Sequence, residues 1–286
     1  MEQPDIFDRK ARRLRRDRAA ADFDAHSFLV DHVAGELADR LASVTRPFAR
    51  MLILGSHDGR YATMFAAPGR TIVSADPGFG FAWRSSGIQC DEDRLPFADG
   101  SFDLVVAIGG LDSVNDLPGA LVLIRRALRP DGLFLGAFPG AGSLAWLRTA
   151  VLEADSLGGA VSPRIHPQID VRSTGDLLSR ASFTLPVADG EHINVGYPDP
   201  IRLIEDLRGM GQTNTLVSRG PIARGRAWLA ALFERFNRDA QDDGRLRESF
   251  EIVYLTGWAP APDQPKPARR GSGTASLANV LKPPSR

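Results

Sequence analysis

The sequence predicts an α/β protein built on a Rossmann-like, doubly wound and mostly parallel sheet, and three observations carry that prediction. First, residues 51–54 form a short apolar run that stops at Gly55, and Gly55 and Gly59 bracket a tight polar turn before helix-forming residues resume at Tyr61. A run of that kind reads as a strand buried on both faces. Glycine lets the turn take φ above zero and lets a ligand approach the backbone, while the following helix offers unpaired N–H donors. Second, another apolar run, 71–75, ends at Asp76. That acid lies about twenty residues beyond the first glycine, the separation at which a dinucleotide-type site puts its ribose-binding carboxylate. Third, strand and helix patterns alternate from Met51 to Phe138, which calls for right-handed crossovers between parallel strands.

Ahead of the first strand, residues 8–18 (DRKARRLRRDR) hold seven basic residues among eleven. Such a run predicts a helix with a solvated face, the alternative being an arm that docks on an acidic partner or a membrane surface. Only Leu14 and the alanines offer apolar contact, so an inserted amphipathic anchor is not supported. Between Phe23 and Leu41, the residues Phe28, Leu29, Val33, Leu37 and Leu41 fall at helical spacing, with Asp24 as the N-cap. Beyond Asp76, a short strand near Ile88 leads to the acidic run Asp91, Glu92, Asp93, and 102–108 is a further buried strand. Asn115 or Asp116 caps a helix reaching Leu128, with Leu117, Leu121, Ile124 and Leu128 on its buried face, and 133–138 is the next strand.

Bulk composition narrows the classes. Lys plus Arg and Asp plus Glu are equal at 35 each, which argues against a dedicated nucleic-acid binder. A single cysteine, Cys90, excludes an intramolecular disulfide and a cysteine-rich zinc site. No apolar run reaches membrane-spanning length and no apolar h-region follows the basic N-terminus. The expectation is a cytoplasmic protein without a transmembrane segment, any peripheral membrane contact being made through the basic N-terminus.

The block DEDRLPFADGSFDLVV (91–106), followed by RRALRPDG (125–132), resembles the class I methyltransferases that bind S-adenosylmethionine (SAM). The resemblance implies that Asp91 approaches the adenine amino group, Asp76 holds the ribose, and Gly55 and Gly59 border the methionine end. It fills out the cofactor-binding set as Gly55, Ser56, Gly59, Asp76, Asp91, Glu92 and Ile108. The chain is further similar to the respiratory complex I (NADH:ubiquinone oxidoreductase) assembly factor 5 family through 6–9 (IFDR), 114–118 (VNDLP), Ser162 and Pro163 with His166 and Pro167, 205–211 (EDLRGMG) and 270–272 (RGS). This likeness spans nearly the whole chain. It implies a methyltransferase-like factor acting on a protein, a complex I subunit, and its mitochondrial member is associated with arginine hydroxylation of such a subunit.

Two departures from the wider pattern leave the chemistry open. The glycine motif normally opens on an acid, here Ile53, and its middle glycine is His57, whose side chain would enter the space of the amino-acid end of SAM; Asp58 is a candidate replacement carboxylate. Where the superfamily commonly carries a His and an aromatic residue stand Asp112 and Ser113, which removes a candidate base and a cofactor wall. Either the protein binds SAM with altered contacts or it no longer binds it. An iron site at His57 with Asp58, Asp76 or Asp112 would need a second histidine, and none is suitably spaced, so no metal site and no catalytic residue is assigned and His57 reads as a polar surface-turn residue.

In the second half, a helix runs from Ser143 to about Asp155, and 162–167 is an extended loop over the ligand mouth. A helix at 174–181 is capped by Ser173 or Thr174, and 193–195 and 250–256 form the closing antiparallel pair. Helices at 200–211 and 221–238, within an insertion of about 199–240, cover the site. Glu205, Asp206 and Arg208 form a solvated helix end or face an arginine-bearing peptide, and Trp228, Leu229, Leu232, Phe233 and Phe236 are core. The domain therefore spans 23–258, with the basic helix in 1–22 and a Pro- and Gly-rich tail, 259–286, predicted to be disordered. Three functions follow: a SAM-dependent methyltransferase-like factor in complex I assembly, a non-catalytic escort with the same fold, or an arginine hydroxylase.

Overall fold

Seven strands form one sheet in the order β3-β2-β1-β4-β5-β7-β6, in a computed structural model that describes residues 4–157, 161–220 and 225–264. The strands are β1 (Arg50–Leu54), β2 (Thr71–Asp76), β3 (Ile88–Gln89), β4 (Phe102–Ile108), β5 (Leu128–Pro139), β6 (Thr184–Tyr197) and β7 (Leu246–Trp258). β1 pairs in parallel with both β2 and β4, and β4 with β5, whereas β7 is antiparallel to β5 and β6. Strand order reverses between β1 and β4, so the chain leaves a crevice at the carboxyl ends of those strands, where ligands bind in open α/β sheets.

The helices are α1 (Arg9–Ala19), α2 (Phe28–Ala42), α3 (Arg60–Met64), α4 (Phe79–Arg84), α5 (Leu117–Ala127), α6 (Ala145–Ser156), α7 (Val171–Arg180), α8 (Pro200–Gly209) and α9 (Arg226–Asp239). Because β1 and β4 are covered on both sides, alternate residues serve opposite cores. Met51, Ile53, Leu104 and Val106 pack with Val33 and Leu37 of α2. Leu52, Leu54, Val105 and Ala107 pack with Leu121 and Ile124 of α5 and Leu178 of α7.

Several local expectations change in the structure. Asp24 does not cap α2: residues 23–26 form a separate turn of 3-10 helix, and Asp24 pairs with Arg60 at 2.7 Å. Phe28 is exposed, while Leu29, Val33, Leu37 and Leu41 are buried as their spacing demands. Asp116 caps α5 by accepting from Gly119 N–H at 2.8 Å. Asn115 instead clamps the N-terminal segment, accepting from Ile6 and Phe7 N–H and donating to Phe7 O. The cap of α7 is Asp170, three residues earlier than expected, and Leu128 opens β5 rather than ending a helix. Of the α9 stripe, Leu232 and Phe236 are buried and Leu229 is exposed; residues 221–224 lie outside the described residues. Ala259 is buried and donates to Gly132 O at 2.8 Å, so the tail's first residues are anchored; 265–286 lie outside the described residues.

The start of α6 shows how far apart a cap and its helix can be. Leu144, at its N-cap, has φ +58° and no side-chain acceptor. The fully buried Glu248 of β7 supplies one, accepting from Leu147 N–H at 2.8 Å and Trp146 N–H at 3.2 Å. First-turn N–H groups left bare inside a protein cost free energy. Glu248→Ala is therefore expected to lower the unfolding free energy by about 1–3 kcal/mol, read as an earlier denaturation midpoint with unchanged slope; an unshifted midpoint would show that water replaces the cap without loss.

Candidate active site

The glycine turn after β1 is built as its residue types require. Gly55 has φ +69°, and a Cβ there would lie 2.5 Å from Ile108 O. Gly59 has φ +93° and abuts Ser85, so the turn tolerates neither side chain nor ordinary dihedral at these two positions. Ser56 is buried, with its hydroxyl 3.1 Å from that of Ser85. His57 takes a left-handed φ of +49° and is not a surface residue. Its ring, 1% exposed, stacks on Phe23 at 4.6 Å and meets Tyr61 and Phe81 edge-on. Nδ1 lies 2.6 Å from Gly55 O, a contact only an N–H can make, which leaves Nε2 as a buried acceptor without a partner. Burial, and then the positive charge of Arg16, push the imidazole down to about 3. Asp58 is turned to Arg60; Ile53, in the missing acid's place, is fully buried core.

The predicted carboxylates are brought together, and each is already held. Arg16 binds Asp76 bidentately at 2.8 and 2.6 Å. Arg12 binds Glu92 bidentately at 2.7 and 2.8 Å and also donates to Ser113 Oγ and Gly110 O. Arg13 reaches Asp91 at 2.5 Å, and Arg9 closes a bidentate pair on Asp93 at 2.6 and 2.7 Å. Burial opposes the charge of Asp76, but Arg16 prevails and keeps its carboxyl below the usual range. The solvated face expected for the basic segment is thus overturned: the acidic partner of α1 is its own domain. The same pairing leaves Arg12 and Arg16 buried and unable to serve a membrane surface. Sequence reasoning missed this, although positions 9, 12, 13 and 16 share one helical face.

A separate cavity of about 220 Å³ opens beside the turn. Its walls are apolar, from Leu29 and Val33 of α2, Leu147 of α6, Ile252 of β7 and Met210 after α8. His57, Ile108, Gly109 and Asp112 also line it, and the extended loop contributes Ile165, His166 and Pro167. Of the seven predicted cofactor residues only Ile108 lines it. Asp112 Oδ1 is buried without a partner, like His57 Nε2. His166 accepts from Thr215 N–H through Nε2, so its Nδ1–H is turned towards Asp112, 3.8 Å away. Asp206, proposed as a peptide contact, is buried and paired with His26 at 2.7 Å and Arg202 at 2.9 Å, while Glu205 and Arg208 are exposed.

Sheet order, glycine turn and acid-bearing strand ends together define a class I methyltransferase fold, and comparison with known proteins agrees. Residues 52–136 match a methyltransferase domain family. The YcgJ protein of Bacillus subtilis has the same fold, with a TM-score of 0.55 at 16% identity over 81% of this chain and 99% of that one. The mitochondrial arginine-hydroxylase NDUFAF5 of Danio rerio is 33% identical over 97% of this chain and 90% of its own length, and the Homo sapiens protein 35% identical over 98% and 86%. A malonyl-[acyl-carrier protein] O-methyltransferase from Gallionella capsiferriformans is 30% identical over 90% of this chain and 93% of its own. The chain belongs to the NDUFAF5 family, within the SAM-dependent class I methyltransferases.

The buried neutral His57 has a measurable consequence. Its folded pKa, about 3 against an ordinary 6.5, means that the unfolded chain binds the extra proton first as pH falls. Stability from this residue is complete above about pH 6.5 and drains away towards pH 3. Between about pH 7 and pH 5 the protein is expected to lose about 2 kcal/mol through this residue, and His57→Asn, which tolerates the left-handed turn, is expected to lack that share. Parallel pH–stability curves for the two proteins would contradict it.

Proposed function

We propose that the protein is a SAM-dependent methyltransferase-like factor that modifies a protein during assembly of respiratory complex I, working in the cytoplasm. The cavity carries this reading: a largely apolar pocket at the strand-order reversal, adjoining the glycine turn and lined in part by the loop around His166. The family's cofactor fits the donor set in kind. Asp76 would hold the ribose hydroxyls and Asp91 the adenine amino group, with Glu92 beside it, and Gly55, Ser56, Gly59 and Ile108 would border the rest. SAM supplies a methyl group already activated on a positively charged sulfur, so the protein's task is to orient donor and acceptor and to exclude water. His57 Nε2 and Asp112 Oδ1, both acceptors, would orient an acceptor group that carries N–H donors. Among the described residues no helix is long and apolar enough to cross a membrane.

Arginine hydroxylation is the second reading, favoured by the name of the NDUFAF5 relatives and by the same pair of acceptors, which suit a guanidinium. Purified protein incubated with SAM and with complex I subunits of the same organism, followed by intact-mass analysis, separates the readings. The mass of one methyl group on a subunit is the expected result. The mass of one oxygen after coexpression would transfer the function to hydroxylation, and unmodified subunits that co-purify would leave an escort.

A further inference from the structure

The row of acids at the crevice has two claimants. Asp76 and Asp91 are the carboxylates that an adenosyl group would need, and both are bound by arginines of α1, as are Glu92 and Asp93. The helix lies in the crevice rather than beside it: Arg16 Cβ would be 2.7 Å from a Cβ on Gly78, Asp17 accepts from Gly80 N–H, and Arg12 reaches Gly110 O beyond the end of β4. With Arg16 and the Gly78 N–H on one Asp76 oxygen, and Arg16 and the His57 N–H on the other, the four acceptor sites of that carboxylate are filled. Asp76 and Asp91 are buried beneath α1, so ribose hydroxyls and an adenine amine reach them only by displacing arginine.

What holds α1 there is charge more than core. Its buried apolar residues are Ala11 and Ala19, and Leu14 is exposed. Buried ion pairs give back in attraction roughly what desolvation costs, so a competitor that supplies its own donors to the acids can replace them at small net cost. Removing the arginines and leaving the acids bare is the expensive event; a bound adenosyl group avoids it at Asp76 and Asp91, while lifting the helix opens Glu92 and Asp93 to water. Both ends of the helix are tethered. Its C-terminal end passes through a turn at 20–22 into the next element, and its N-terminal end is tied down by the bridge between Phe7 and Leu216 and by Asn115.

We propose that α1 is an exchangeable strap: its arginines occupy the carboxylates that the adenosyl end of SAM requires, and cofactor entry lifts the helix about the turn at 20–22. The inference rests on the SAM-binding reading above and adds to it that closed helix and bound cofactor exclude one another. Apparent cofactor affinity is then the intrinsic affinity reduced by the fraction of molecules with α1 lifted.

The Phe7–Leu216 bridge offers the test. Asp8 N–H donates to Thr215 O and Val217 N–H to Ile6 O, so Phe7 and Leu216 are a non-hydrogen-bonded antiparallel pair with Cα atoms about 4.5 Å apart, within disulfide reach. In the full chain carrying F7C and L216C, calorimetric titration with S-adenosylhomocysteine is expected to give at least about tenfold weaker binding oxidised than reduced. Native Cys90 is buried and does not compete for the bridge. In the unmodified protein, the same ligand is expected to speed amide hydrogen exchange across residues 9–19. Equal affinity in the two redox states, α1 amides that keep or gain protection on binding, or no binding by the reduced and unmodified proteins would each overturn the strap. Binding with the expected opening, but without modification of any subunit, would leave the strap standing and remove only the proposed methyl transfer.

Discussion

The pairing of Arg16 with Asp76 is the interaction on which the rest of the site depends. Both groups are almost fully buried, and an isolated buried charge of either sign is far costlier than the pair. Asp76 also accepts from Gly78 N–H, and His57 N–H lies 3.3 Å from its other oxygen. One carboxylate therefore joins the glycine turn, the loop after β2 and α1. Arg16 in turn adds to the burial that keeps His57 neutral, which leaves the imidazole an acceptor facing the cavity. A change at Arg16 would thus reach the α1 face, the turn and the pocket together.

Much of the fold was legible because it is written in periodicity. The runs at 51–54, 71–75 and 102–108 became β1, β2 and β4, and the glycine positions and Asp76 fell at the strand ends where the sheet reverses order. What failed was mostly local capping. Asp24, Ser173 and Asn115 are all residue types that cap helices, and the sequence does not say whether such an oxygen meets a helix, an arginine or a neighbouring strand. Asp24 went to Arg60 and Asn115 to the N-terminal segment, while the start of α6 took its acceptor from Glu248, about a hundred residues away.

The site was legible in its parts but not in its pairing. Position predicted that Asp76 and Asp91 would gather at the crevice, and they do. Position did not predict that the basic run 8–18 would fold onto them, because a charge run is ordinarily solvated. The face made by Arg9, Arg12, Arg13 and Arg16 matches the acids in number, and that complementarity was the available signal. The departure at Ser113 also gains a physical sense: its hydroxyl accepts from Arg12 and donates to Gly110 O, so the residue that replaces a cofactor-walling aromatic seats the helix. His57, the other departure, fills an aromatic box around Phe23, Tyr61 and Phe81.

The central claim is that one set of carboxylates serves α1 in one state and the cofactor in another. A crystal structure of the full chain grown with S-adenosylhomocysteine addresses it most directly. The account predicts the adenosyl group seated on Asp76 and Asp91, with Arg16 and Arg13 withdrawn from them. An intact Arg16–Asp76 pair with the ligand bound elsewhere, or alongside it, would contradict it.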